Sequence, residues 1–235
     1  MESDNRFPEL IFEDNHLIAV NKTNHDLVQK DITGDRALDD RVRDYIRFRY
    51  QKPGNVFLGV IHRIDRPVSG IVLFARTSKA LTRMNELFRA GAVRKTYWAI
   101  VKQKPPKLQD DLVHYMIRKS KQNKSYCYDH EIKQSKKAEL TYAQLDSSGK
   151  YHLLEIDLKT GRHHQIRAQL SAIGCPVRGD LKYGFPRSNP DGGISLHARK
   201  ISFIHPVTKE EIAIVADPPQ DDPLWKHLLG TNKNK

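Results

Sequence analysis

The sequence predicts an α+β fold, a mainly antiparallel mixed sheet with flanking helices and loops. Apolar runs of strand length outnumber amphipathic helical segments. Strands and helices do not alternate strictly, as a doubly wound α/β sheet would require. Several strand pairs also flank short turn signals, at Asp14-Asn15, Ser147-Ser148-Gly149 and His205-Pro206.

The elements follow in order. Residues 9–21, ELIFEDNHLIAVN, read as two strands around Asp14-Asn15. Residues 35–49 place Leu38, Val42, Tyr45 and Ile46 at helical spacing among arginines, predicting an amphipathic helix with a basic face. GIVLFA at 70–75 is a buried strand with few polar breaks. Ser78 reads as the N-cap of a helix carrying Leu81, Met84, Leu87 and Phe88, and Gly91 ends it. TYWAIV at 96–101 is a strand, and the proline-containing 102–110 a loop. Residues 111–137 are polar and lysine-rich, with a Tyr126-Cys127-Tyr128 patch, and read as a peripheral hairpin. Strands follow at 138–145 and 151–158. Residues 163–173 form a short helix with Ile166, Leu170 and Ile173 on one face and Gly174 as its stop. Strands at 196–204 and 211–216, a helix from Asp221 to Leu229 and a polar tail complete the chain.

Composition narrows the function classes. The 235 residues suffice for a sizeable core, and no apolar run approaches the ~18 residues of a membrane span. Cys127 and Cys175 form neither a disulfide framework nor a metal knuckle, which points to the reducing cytoplasm. No basic, then apolar, leader opens the sequence. Forty Lys+Arg against 28 Asp+Glu leave a net charge of +12, suited to a polyanionic partner, with nucleic acid the commonest.

Four stretches carry chemistry. In His62-Arg63-Ile64-Asp65-Arg66-Pro67 one carboxylate stands among cations just before a buried strand. An isolated Asp-Xaa-Pro is a turn aspartate. Neighbouring guanidinium groups change that reading, because they favour a charged carboxylate even when it is partly desolvated, as covalent or base catalysis requires. In KTGRHHQIRAQ, residues 159–169, Lys159, Arg162, His163, His164 and Arg167 cluster where a helix begins. Cations there oppose the helix dipole, which makes sense if an anion arrives. A metal site at His163-His164 lacks supporting ligands. In Arg94-Lys95-Thr96-Tyr97-Trp98 two cations lead into adjacent aromatics on opposite strand faces, so one can be core while the other offers a stacking platform. The fourth stretch is Leu196-His197-Ala198-Arg199-Lys200, a strand able to carry His197 toward a site.

Together these stretches resemble the RluA family of pseudouridine synthases. HRIDRPVSGIVLFARTSKAL is similar to that family's aspartate motif, KTYWAIV to its tyrosine motif, TGRHHQIRAQLSAIGCPVRGDLKYG to its arginine motif, and LHARKISFIHP to the strand that follows. The resemblance runs from about Phe7 to Pro218. It implies a pseudouridine-synthase-like catalytic domain with a central cleft, over 7–218, with 102–137 as an excursion, 219–235 as a helix and tail, and no separate N-terminal RNA-binding domain.

It also implies an isomerase that converts uridine in ribosomal or transfer RNA to pseudouridine, with no cofactor and no metal. Asp65 is then the catalytic aspartate, Tyr97 packs on the base, and Arg167 pairs with Asp65. Arg63 reaches toward RNA, with His62, Arg66, Lys95, Arg162 and His163 as further RNA contacts. The expected protein is cytoplasmic, monomeric and free of membrane. Asn21-Lys22-Thr23-Asn24-His25 departs from the family's usual Lys-Pro turn. The rival readings are a non-catalytic RNA-binding or ribosome-assembly protein, and a nuclease or glycosidase using Asp157 or Asp180 as a second carboxylate.

Overall fold

A computed structural model of the chain describes residues 7–30 and 34–230. It divides into two compact units, residues 1–93 with 200–217, and residues 94–199 with 218–235. The predicted polar tail after residue 230 lies outside the described residues.

In the first unit, β1 (Glu9–Glu13) and β2 (Leu17–Lys22) form an antiparallel pair. Asp14 closes the turn between them by accepting from the backbone N–H of His16 and Leu17. β2 then pairs antiparallel with β4 (Ser69–Ala75), in register from Leu17↔Ala75 to Lys22↔Gly70. β3 (Gly59–Val60) also pairs with β4. All seven residues of β4 are buried because each face has its own helical cover. Leu17, Ala19, Ile71 and Leu73 point to a core with Met84 of α2 (Ser78–Arg89). Ile18, Val20, Val72 and Phe74 point to a core with Leu38, Val42 and Ile46 of α1 (Leu38–Arg49). Alternation of side chains across the strand is what feeds both cores from one continuous apolar run.

Two expectations change here. Thr77, not Ser78, caps α2: its hydroxyl accepts from the N–H of Ala80, and Ser78 is already helical. Thr77 sits in the extended backbone that a capping residue adopts. The arginines of α1 and its flanks are also largely neutralised in place. Arg36 and Arg47 pair with Asp44, Arg43 with Asp39 and Asp40, and Arg41 with Asp26.

In the second unit, β5 (Arg94–Val101) pairs antiparallel with β9 (His152–Leu158), β9 with β8 (Lys136–Ser147), β8 with β6 (Gln109–Lys119), and β6 with β7 (Lys124–Tyr128). The expected excursion is therefore a hairpin whose first strand is also a ladder member, joined to β8 from Gln109↔Ala143 to Met116↔Lys136. α3 (Gln165–Ala172) packs on β6 and β7. α4 (Pro223–Gly230) inserts Trp225 and Leu228 against Ile100 and Leu153. β10 (Leu196–Ile204) supplies its first four residues to this unit and the remainder to the first, where it pairs with β11 (Glu211–Val215). His197 is fully buried with its ring edge-on to Trp225, so its surroundings are core.

One buried lysine fixes the turn that follows His62-Arg63-Ile64. Lys22, at the end of β2, is 1% exposed. Its Nζ donates to the carbonyls of Thr23 (2.6 Å), Arg66 (2.9 Å) and Val68 (2.7 Å). Burial lowers its pKa to about 7, opposed by the carboxylates of Asp26 and Asp65. The departure from the family's Lys-Pro turn is accommodated by Asp26, which accepts from the N–H and hydroxyl of Thr23. Because the folded pKa lies below that of an unfolded lysine, Lys22 contributes most above about pH 10.5 and loses that contribution as pH falls toward 7. Lys22→Met removes three bonds, of which the one to the Val68 carbonyl is buried, where an unpaired acceptor costs about 1–3 kcal/mol. The wild-type advantage over this variant in urea unfolding is expected to widen from pH 7 to pH 9, by on the order of 1 kcal/mol per pH unit. A gap that stays constant with pH contradicts this account.

Candidate active site

The Asp65 segment leaves the ladder after β3. His62 accepts from the backbone N–H of Leu73 in β4 at 3.1 Å, and its ring stacks on Phe88 of α2 at 5.3 Å. The imidazole is a strut between segment and sheet, which gives it a role beyond the expected RNA contact. The backbone turns at Arg66-Pro67, with the Val68 N–H donating to the Asp65 carbonyl at 3.0 Å. Asp65 is half-buried there, and Arg63 is exposed. The Arg66 guanidinium pairs with Asp35 at 3.0 Å, across an exposed bridge.

In the second unit Tyr97 is 9% exposed and opposite Ile156 in the β5–β9 ladder. Trp98, on the other strand face, is committed to structure. Its indole N–H donates to Glu155 at 3.1 Å, and the Arg199 guanidinium lies 4.3 Å from its ring centroid. Lys95 shares the face of Tyr97 and is half-buried.

The arginine motif is more elaborate than the sequence suggests. The helix begins at Gln165, so His163 and His164 precede it, and His164 adopts a left-handed backbone with φ of 54°. Their rings do not diverge as on a helix but stack with centroids 3.8 Å apart. His163 bonds the Ser125 hydroxyl (2.9 Å) and Asn123 Oδ1 (3.1 Å) of the β6–β7 hairpin. His164 Nδ1 lies 3.0 Å from the Tyr183 hydroxyl, which also accepts from the Ser125 N–H. The Gln165 side chain closes the preceding turn by accepting from the Arg162 N–H and the Thr160 hydroxyl. Arg162 itself is exposed and donates to the Lys137 carbonyl.

Arg167 is 5% exposed. Its Nε and Nη2 donate to the two oxygens of Asp180 at 2.7 and 3.0 Å, a two-pronged geometry that fixes the guanidinium plane. Tyr183 lies beneath it, the ring centroid 5.1 Å from the guanidinium carbon. Asp180 was a loose candidate for a second catalytic carboxylate, but here it is the buried anchor of Arg167. Asp157, the other candidate, pairs with Lys159.

Sequence reasoning missed Lys22, Gln165, Tyr183 and the anchoring role of Asp180. Asp180 and Tyr183 stand in the quoted RGDLKYG segment, so their positions were visible, but their partners are not neighbours in sequence. A cysteine nucleophile is disfavoured, since burial pushes the Cys127 thiol up to about 12 and keeps it protonated. No helix among the described residues is long and apolar enough to cross a membrane.

Comparison with known proteins agrees with these motifs. A family model described as RNA pseudouridylate synthase matches residues 16–172. The tRNA pseudouridine synthase C of Haemophilus influenzae is 31% identical over 241 aligned residues, covering 94% of this chain and 96% of that one. The ribosomal large subunit pseudouridine synthase D of Zymomonas mobilis is 29% identical, covering 96% of this chain and 74% of its own length. The solved structure of human RNA Pseudouridylate Synthase Domain Containing 4 superposes with a TM-score of 0.78 at 22% identity, over 93% of this chain and 92% of that one, a match of fold. With the family model spanning most of the chain and the aspartate, tyrosine and arginine motifs all in register, this protein belongs to the RluA family of RNA pseudouridylate synthases.

Proposed function

We propose that this protein isomerises uridine in transfer or ribosomal RNA to pseudouridine, with Asp65 as the catalytic carboxylate and Tyr97 and Arg167 acting with it. The observation that carries the reading is the Asp65 turn, held by a buried ammonium within the segment matched by the family model. Relatives named for transfer RNA and for the large ribosomal subunit support both substrate classes. A monomer in the cytoplasm is part of the same proposal.

The target uridine leaves its stack, at a cost of a few kcal/mol. Packing on Tyr97 and phosphate contacts from exposed cations such as Arg63 offset that cost. Asp65 then attacks the sugar or the ring, or removes a sugar proton. The N1–C1′ bond breaks, the uracil turns, and a C5–C1′ bond forms. The proton lost from C5 balances the one gained at N1, so the reaction consumes no water and changes no oxidation state.

Arg167 keeps its role only while its plane is held. Arg167→Lys retains the charge but not the fork to Asp180. Single-turnover formation of pseudouridine is expected to fall about 100-fold, with RNA affinity kept; a loss confined to affinity argues against a role beside Asp65. Asp180→Ala leaves the Arg167 ion buried without its anchor, and unfolding free energy is expected to drop by about 3–5 kcal/mol. Unchanged denaturant midpoints contradict that. The central test is Asp65→Ala in a deletion strain, with chemical mapping of pseudouridine in its RNA. Product is expected to vanish while purified variant still binds RNA, and undiminished product removes Asp65 from the mechanism.

A further inference from the structure

Lys95 precedes Tyr97 by two residues on β5, so their side chains leave the same face of the strand. It is half-buried, and desolvation lowers its pKa below that of an ordinary lysine, with Asp157 opposing. Asp157 is nevertheless engaged by Lys159, in a short ion pair. Among the described residues the Lys95 side chain makes no hydrogen bond and no ion pair. Buried lysines are ordinarily paired, because an ammonium out of water without partners is unfavourable.

Gly161 has no side chain, and a Cβ there would sit 3.8 Å from Lys95 Nζ. The adjoining Arg162 is exposed and donates to the Lys137 carbonyl, a neutral acceptor. A half-buried cation whose side chain has no hydrogen-bond partner among the described residues, on the face of a buried tyrosine, is complementary to an anionic oxygen brought in with the nucleotide.

We infer that Lys95 receives an anionic oxygen of the flipped uridine nucleotide and so positions its base against Tyr97. This rests on the assignment of Tyr97 to the base-binding face. Two oxygens of the nucleotide have this chemistry. A phosphate oxygen is anionic throughout the reaction. A uracil carbonyl oxygen becomes anionic when the base departs with the electron pair of the N1–C1′ bond. Both take an ammonium donor; they differ in when the charge is present. Contact with phosphate strengthens binding, whereas contact with the departing base lowers the barrier.

Unmodified transcripts of transfer RNA and of large-subunit ribosomal RNA serve as probes, using whichever the wild-type protein modifies. Lys95→Met, Lys95→Arg and Asp65→Ala are compared for RNA affinity, its dependence on KCl, and the single-turnover rate at saturating RNA. If the oxygen is a phosphate, Lys95→Met weakens affinity about tenfold and lowers the slope of log affinity against log salt by about 1, with the saturated rate kept. If it belongs to the departing base, the saturated rate falls about 100- to 1000-fold with affinity kept. In either case Lys95→Arg restores the lost parameter, and melting temperatures match the wild type. A Lys95→Met protein equal to wild type in affinity, salt slope and rate overturns the inference. So does a loss that tracks a lowered melting temperature and that arginine does not rescue. Asp65→Ala separates the two failures: wild-type product from that variant sinks the proposed function itself, whereas a dead Asp65→Ala beside a fully active Lys95→Met sinks only the role of Lys95.

Discussion

A single buried lysine, Lys22, links the strand order of the first unit to the position of the turn that carries Asp65. The chain between β3 and β4 has no ladder of its own. Its Val68 carbonyl is buried and its Arg66 carbonyl partly so, and leaving such a group unpaired costs free energy comparable to a lost hydrogen bond. Lys22 reaches them from the end of β2, the strand already in register with β4. Any shift of that register by one residue would turn Lys22 to the other face and withdraw its three bonds. The Asp65 turn is therefore as well defined as the β2–β4 pairing. His62 reinforces it from the other side, accepting from Leu73 and resting on Phe88.

The second unit solves a similar problem with a network of neutral and ionic groups. α3 buries Gln165, Ile166, Arg167, Ala168, Gln169 and Leu170, half of them polar. Each polar group is matched. Gln165 and Gln169 bond each other and the carbonyls of Glu139, Leu112 and Ala138. Arg167 meets Asp180, and the left-handed His164 turns its ring to Tyr183. A fully satisfied polar cluster in a low-dielectric interior is rigid, because each lost partner leaves a buried group unpaired. That rigidity holds the Arg167 guanidinium in one orientation, which a flexible lysine would not supply.

The sequence made the elements legible and their partnerships obscure. β2, β4 and both long helices were visible because their apolar periodicities are strong, and the boundaries moved by only a few residues. Thr77 was passed over for Ser78 because two adjacent hydroxyl residues are equivalent by type; only backbone geometry distinguishes the cap. The helical reading of His163-His164 failed for a related reason. A cationic run before an apolar stripe looks like a first turn, and nothing local announces a left-handed residue that is not glycine. Asp65, Tyr97 and Arg167 were singled out through family motifs as well as chemistry. Lys22 and Asp180 act through residues 44 and 13 positions away, and no pattern in one sequence reports such pairings.

Charge shows the same difference between composition and arrangement. A net +12 invites the picture of a uniformly basic surface. Yet the most arginine-rich segment, α1 with its flanks, is bridged by Asp26, Asp39, Asp40 and Asp44, so much of its charge is spent within the fold. Residues 111–137 carry seven Lys/Arg against three Asp/Glu, and there Lys119 and Lys124 lie over the Tyr126 ring rather than against acids. A cation resting on an aromatic face keeps its field, whereas one bridged by a carboxylate loses most of it beyond a Debye length of about 8–10 Å. The hairpin therefore keeps more of its positive field than α1 does, despite the arginines of the helix. His163 ties that hairpin to the segment leading into Arg167 through Ser125 and Asn123, so the basic hairpin is fastened directly to the helix that holds the buried guanidinium.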